Sequence, residues 1–143
     1  MQGARTITDI TGGCRCGAVR YRSSAPPLAS RGCWRRDCQY FAAGAGTVNV
    51  IFRVEAFEIT GAAADYASDA DSGNRIHRRF CPRCGAPMFS QAEARPALII
   101  ARAGTLDDPE LIAPSGTIWT ASAPSWACIA EDLPRTEGQP PPV

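Results

Sequence analysis

Lysine is absent from this chain. All fifteen basic residues are arginines, which excludes a Schiff-base lysine, a phosphate-loop lysine and a polylysine tail. Histidine is nearly absent too. His77 stands alone, so a His-rich metal site is excluded and any imidazole proton transfer must use this one residue. A charge excess is also missing. Fourteen acidic residues leave a net charge of +1, whereas nucleic-acid partners call for a strongly basic face. The longest aliphatic stretch, Ala97 to Ala101, is far short of the about 20 residues that span a bilayer. The opening residues, Met1 to Ile10, carry no apolar core of signal-peptide length. These absences predict a cytoplasmic protein with no membrane and no nucleic-acid partner, whose thiols stay reduced.

What the chain has is enough apolar material for one core. It runs to 143 residues, 45% of them hydrophobic and 20% charged, which excludes wholesale disorder and suits one domain. Thirteen glycines and twelve prolines punctuate short alternating segments, a pattern of strands joined by turns. Strands are expected at Arg5 to Thr11, Ala18 to Arg22, Thr47 to Val54 and Phe57 to Thr60. Arg75 to Phe80 and Pro87 to Gln91 read as two arms of a hairpin around Cys81. Ala97 to Ala103 reads as a central strand covered on both sides. Helix is limited to a short piece around Ala42 and Ala43, and Leu106 to Pro124 reads as ordered loop. The fold class is therefore all-β and mainly antiparallel: one domain over residues 1–136, with 137–143 a flexible, proline-rich tail.

Seven cysteines stand out. An odd number, closely clustered in a reducing compartment, points to metal ligation before disulfides. Cys81-Pro-Arg-Cys84-Gly85 is the most specific signal. Two thiolates at this spacing grip one tetrahedral zinc, Pro82 pre-sets the turn and Gly85 supplies the positive φ of a tight knuckle. A redox C-x-x-C is the rival, but it prefers a helix start in a βαβ context, which is lacking here. The second half of the site is Cys14-Arg15-Cys16-Gly17, another cysteine pair followed by glycine. Zinc held by Cys14, Cys16, Cys81 and Cys84 would close a long loop and stabilise a small β domain. Arg15 and Arg83 would offset its excess negative charge.

Cys33 and Cys38 form a looser pair, C-x-x-x-x-C. With further ligands and an open position they make a second, catalytic zinc site; Asp37, His77 and Cys128 are the candidates. Without them they are free thiols among Arg31, Arg35 and Arg36, which lower thiol pKa values and attract small anions.

The order Thr11-Gly-Gly-Cys-Arg-Cys-Gly-Ala-Val-Arg-Tyr21, Cys33 to Cys38, and Arg79-Phe-Cys-Pro-Arg-Cys-Gly-Ala-Pro-Met-Phe89 resembles the glutathione-dependent formaldehyde-activating (GFA) family, which shares a domain with the centromere protein V group. Ala103-Gly-Thr-Leu-Asp-Asp-Pro109, Ile118-Trp119 and Trp126 through Asp132-Leu-Pro134 extend the likeness. The resemblance implies an Mss4-like β-tent and a structural zinc on Cys14, Cys16, Cys81 and Cys84. It also implies a zinc-dependent carbon–sulfur lyase acting on glutathione, or another thiol, and formaldehyde or a small aldehyde, with Cys33 and Cys38 at the catalytic second zinc. The family's C-x-C-x-x-C run is broken here. Arg35 replaces its middle cysteine and Trp34 the usual histidine, so the alternative is a catalytically degenerate, zinc-stabilised binding module.

Of the remaining residues, His77 reads as a half-exposed strand position and Cys128 as a small buried apolar group. Trp119 and Trp126 read as core or cleft walls. Arg78 and Arg79 read as a solvated strand face, with a bidentate grip on a substrate carboxylate as the rival. Asp107 and Asp108 read as a turn before Pro109.

Overall fold

The computed structural model describes residues 9–143, so Arg5 to Thr8 of the first expected strand lie outside the described residues. β-branched and aromatic residues place β1 (Ile10–Gly13), β2 (Arg20–Ser23), β4 (Thr47–Arg53), β5 (Phe57–Thr60), β7 (Arg75–Phe80), β8 (Pro87–Ala92) and β9 (Leu98–Arg102) near their expected positions. Three further strands, β3 (Ala29–Cys33), β6 (Ala64–Asp69) and the two-residue β10 (Thr117–Ile118), complete the set. The helix α1 spans Arg36–Phe41 and ends before the alanines where helix was expected. Ala43 and Gly44 both have positive φ, which breaks the helical path there.

Among the described residues the strands form two sheets. One has three strands in the order β1-β2-β5, and the other has seven in the order β10-β3-β4-β9-β8-β7-β6. Between these named strands every pairing is antiparallel except β10 with β3. β9 is the middle strand of the larger sheet, as its unbroken apolar run predicts.

Period-two alternation gives the larger sheet two unlike faces. Val50, Phe52, Phe89, Ile99 and Ala101 pack with Ile10 and Tyr21 of the smaller sheet, and with Val19 just before β2, to make the core. Phe57 ties the sheets together: its ring stacks on Tyr21 at 5.1 Å and meets Phe89 edge-on at 5.8 Å. On the opposite face the register aligns Arg31, Asn49 and Arg102 across β3, β4 and β9. Ile51, Ile100 and Ser90 form a neighbouring row. That second face borders a cavity instead of core.

At the outer edge of the larger sheet His77 bridges three strands. Its Nδ1 lies 2.7 Å from Asp65 Oδ2 on β6, and its Nε2 lies 2.6 Å from Glu93 Oε2 just beyond β8. The two carboxylates raise its pKa, Asp65 foremost. A raised folded-state pKa favours the protonated form. The stabilisation is therefore complete below the ordinary histidine pKa of about 6.5 and fades as pH climbs through the folded value. Melting temperature should fall as pH rises from 6 to 9, and His77→Gln should flatten that slope; an unchanged slope in the variant would contradict the assignment.

Candidate metal centre and the second cysteine pair

Two knuckles converge at one end of the core. Cys14 follows β1 directly, and the turn that leads into β2 carries Cys16 and Gly17. Gly17 has φ +84° and its N–H donates to Cys14 O at 3.2 Å. The turn between β7 and β8 repeats the device: Gly85 has φ +79° and donates to Cys81 O at 2.8 Å. Glycine is needed at both positions because this backbone conformation strains other residues. The two remote motifs thus meet as the sequence predicts.

The sulfurs of Cys14, Cys16, Cys81 and Cys84 all lie within 4.8 Å of one another. Cys14 and Cys16 Sγ are 3.7 Å apart, and Cys16 and Cys81 Sγ 3.8 Å. A tetrahedral zinc with Zn–S bonds of about 2.3 Å sets its sulfurs about 3.8 Å apart, so the cluster fits that ion. Backbone N–H groups surround the sulfurs: Val19 donates to Cys14 Sγ at 3.2 Å, and Arg83 and Cys84 donate to Cys81 Sγ at 3.3 and 3.4 Å. Burial pushes the Cys14 thiol up, yet the Val19 N–H and the neighbouring sulfurs outweigh it and bring the pKa down to about 6. At Cys16 the Ala18 N–H pulls downward, but burial and three neighbouring sulfurs win and push the pKa up to about 11. Four thiolates cannot coexist at this distance without a cation, and a divalent metal removes the conflict.

Cys33 ends β3 and Cys38 lies in the first turn of α1. Both are buried, and their sulfurs approach to 3.5 Å in a thiol–thiol hydrogen bond. The pair is lopsided. The bond with Cys33, helped by the charges of Arg102 and Arg35, outweighs burial and lowers the Cys38 pKa to about 6, while Cys33 is driven upward. Among the described residues only the Cys14/16/81/84 group gathers three or more cysteine, histidine or carboxylate ligands. The three residues considered as further ligands for Cys33 and Cys38 lie elsewhere. Asp37 faces Arg78 at 3.6 Å, His77 is held between its two carboxylates, and Cys128 is exposed.

Both cysteines line the cavity, whose volume is about 250 Å³. Arg31, Arg35, Arg78, Arg95 and Arg102 line it with them, and among the described residues no acidic side chain does. Arg102 Nη1 donates to Asn49 Oδ1, but its Nε is buried with no hydrogen-bond partner. Burial lowers the Arg102 pKa, and the cysteine sulfurs oppose that. Arg78 is buried over the Phe41 ring with Nη1 on Ser68 Oγ at 2.9 Å. The guanidinium of Arg35 lies 5.0 Å from the centre of the Trp119 ring and donates to Gln139 Oε1 at 2.8 Å. Gln139 and Val143, from the segment read as a tail, thereby join the cavity wall.

Reasoning from sequence missed Arg102. Its signal was there: alternation along Leu98-Ile-Ile-Ala-Arg102 puts the arginine on the face of Leu98 and Ile100. Arg78 turns out buried rather than part of a solvated face, while Arg79, half-buried, bonds Gln91 Oε1 at 3.1 Å. Two other readings need correction. Cys128 and Trp126 are exposed, not buried, because residues 123–135 form an irregular outer loop. Trp119 is half-buried and serves as the platform for Arg35.

Comparison with known proteins agrees with this arrangement. The profile of the glutathione-dependent formaldehyde-activating enzyme family matches residues 9–122, a span that holds both cysteine sites. The chain belongs to the GFA family. A Rhodobacter sphaeroides protein of solved crystal structure resembles this GFA chain with a TM-score of 0.56 at 20% identity. The likeness covers 73% of this chain and 91% of that one, and speaks to the fold alone. No curated protein matches. Among the described residues no helix of this GFA chain is long and apolar enough to cross a membrane.

The two cysteine sets should respond differently to mutation. Cys84→Ser would take one ligand from a cluster that could hold a metal, and metal-binding energy, about 10–16 kcal/mol in small zinc domains, is coupled to folding. The substitution should abolish the cooperative melt. Cys38→Ser exchanges one buried sulfur and should shift the melting temperature by only a few degrees. Like behaviour of the two variants in calorimetry would contradict the division.

Proposed function

We propose that this GFA-family protein is stabilised by one zinc on Cys14, Cys16, Cys81 and Cys84, and that it binds a small anion in the cavity beside Cys33 and Cys38. Arg102 carries the reading. Among the described residues its Nε is buried without a partner, in a cavity lined by no acidic side chain. A guanidinium stays charged at any ordinary pH, and a buried charge needs a counter-charge. A carboxylate entering the cavity would accept a charge-assisted hydrogen bond from Nε. Arg31 shares the cross-strand row, and Arg35 lies at the same cavity, so a ligand with two anionic groups suits it best. A thiol bearing two carboxylates, such as glutathione, has the right chemistry.

The second reading is the carbon–sulfur lyase, in which a thiol and formaldehyde or a small aldehyde are joined or split in this cavity. Family membership and the two sulfurs favour it. Against it stands the lack of a third metal ligand beside Cys33 and Cys38 among the described residues. Arg35 occupies the chain position where one would be required, so binding without turnover is preferred. A catalytic second zinc would need a donor from outside this constellation.

Calorimetric titration with glutathione tests the binding reading. Saturable binding is expected, weakened at least tenfold by Arg102→Met, about 1.4 kcal/mol or more. No heat of binding from glutathione or from glutarate would contradict it. Incubation with glutathione and formaldehyde tests the second reading. Adduct formation above the uncatalysed rate, lost in Cys38→Ser, would establish a lyase.

A further inference from the structure

We propose that Cys33 and Cys38 form a dithiol redox centre, which a small hydroperoxide entering the cavity converts to an intrachain disulfide. The inference goes beyond anion binding and stands whether or not an anion occupies the cavity.

Three observations combine. The sulfurs are 3.5 Å apart, and closing them to a bond of about 2.05 Å needs a relative shift of about 1.5 Å. One sulfur ends a strand and the other lies in the first turn of a six-residue helix, an element short enough to yield that distance. Unlike the sulfurs of the metal cluster, these two have no third ligand among the described residues, so no metal competes for them there. Finally, although both side chains are buried, they line a cavity of about 250 Å³. A small hydroperoxide can reach them through that cavity.

The surroundings suit the chemistry. Cys38 is the attacking sulfur, because the Arg102 charge acts on it more strongly than on Cys33, whereas Arg35 acts on both. Its thiolate attacks one peroxide oxygen; the S–O bond forms, the O–O bond breaks and the sulfur loses two electrons. Hydroxide, or alkoxide from an organic hydroperoxide, leaves and takes a proton from solvent. The arginine charges stabilise that departing anion, since they are fixed before the reaction begins. Cys33 then attacks the Cys38 sulfenic acid; the S–S bond forms, the S–O bond breaks, and the departing hydroxide takes the Cys33 proton to give water. In sum, two thiols and hydrogen peroxide yield one disulfide and two waters. Low-molecular-weight thiols reverse the reaction by exchange.

Peptide mapping of the unaltered, zinc-loaded chain after exposure to hydrogen peroxide decides the matter. Trypsin cuts after Arg31, Arg35, Arg36 and Arg53, which puts Cys33 and Cys38 on separate peptides, 32–35 and 37–53. The expected result is a joined 32–35/37–53 species, lost on dithiothreitol treatment, with zinc still bound. In Cys33→Ser, dimedone should label Cys38 as its sulfenic acid; in Cys38→Ser, the joined species and the label should both be lost. Peptides that stay separate with both thiols open to alkylation would overturn the proposal. So would linkage confined to Cys14, Cys16, Cys81 and Cys84. A sulfenic label on Cys33 in Cys38→Ser, with none on Cys38 in Cys33→Ser, would overturn the assignment of the attacking sulfur.

Discussion

Four sulfurs from two distant turns meet at one point, and the relation between the two sheets depends on that meeting. Cys14 and Cys16 lie in the β1–β2 connection of the small sheet, while Cys81 and Cys84 lie in the β7–β8 connection of the large one. The aromatic contacts of Tyr21, Phe57 and Phe89 hold the sheets face to face, but apolar packing tolerates sliding in a way that coordination does not. A divalent ion in the cluster would fix the register of the sheets by bonds of set length. It would also join segments more than sixty residues apart, removing much of the unfolded chain's freedom.

The large sheet thereby acquires a free second face. One face is used up by the core, and the other presents Arg31, Asn49 and Arg102 in a row beside Cys33 and Cys38. Helix α1 is too short to cover this face, so a cavity remains between it, the sheet and the segment around Gln139. The two cysteine sets are separated in space: one could hold a metal that fastens the sheets, and the other borders the cavity.

Features written into adjacent residues were legible in the sequence. A glycine directly after a cysteine pair signals a knuckle, and Gly17 and Gly85 take the positive φ that this requires. The β-branched runs of β4 and β9 likewise declare strands. β3 and β6 went unseen for a physical reason. Ala-Ser-Arg-Gly-Cys and Ala-Asp-Tyr-Ala-Ser-Asp have little intrinsic strand preference, and partners β4 and β7 supply their pairing. The arginine row is tertiary in origin. Arg31 and Arg102 are 71 positions apart in a chain of 143, and only the register through Asn49 brings them together. Arg102 itself was within reach of alternation, but an arginine ending an apolar strand reads as a solvated terminus until a partnered face is known.

Titration of the metal-free chain with cobalt(II) tests the central claim most directly, because tetrahedral thiolate coordination gives intense visible bands and a near-ultraviolet sulfur charge-transfer band. The account predicts that both signals saturate at a single equivalent, that zinc displaces them, and that Cys84→Ser removes them while Cys33→Ser does not. Weak octahedral absorption, or signals equally lost in Cys33→Ser, would contradict it.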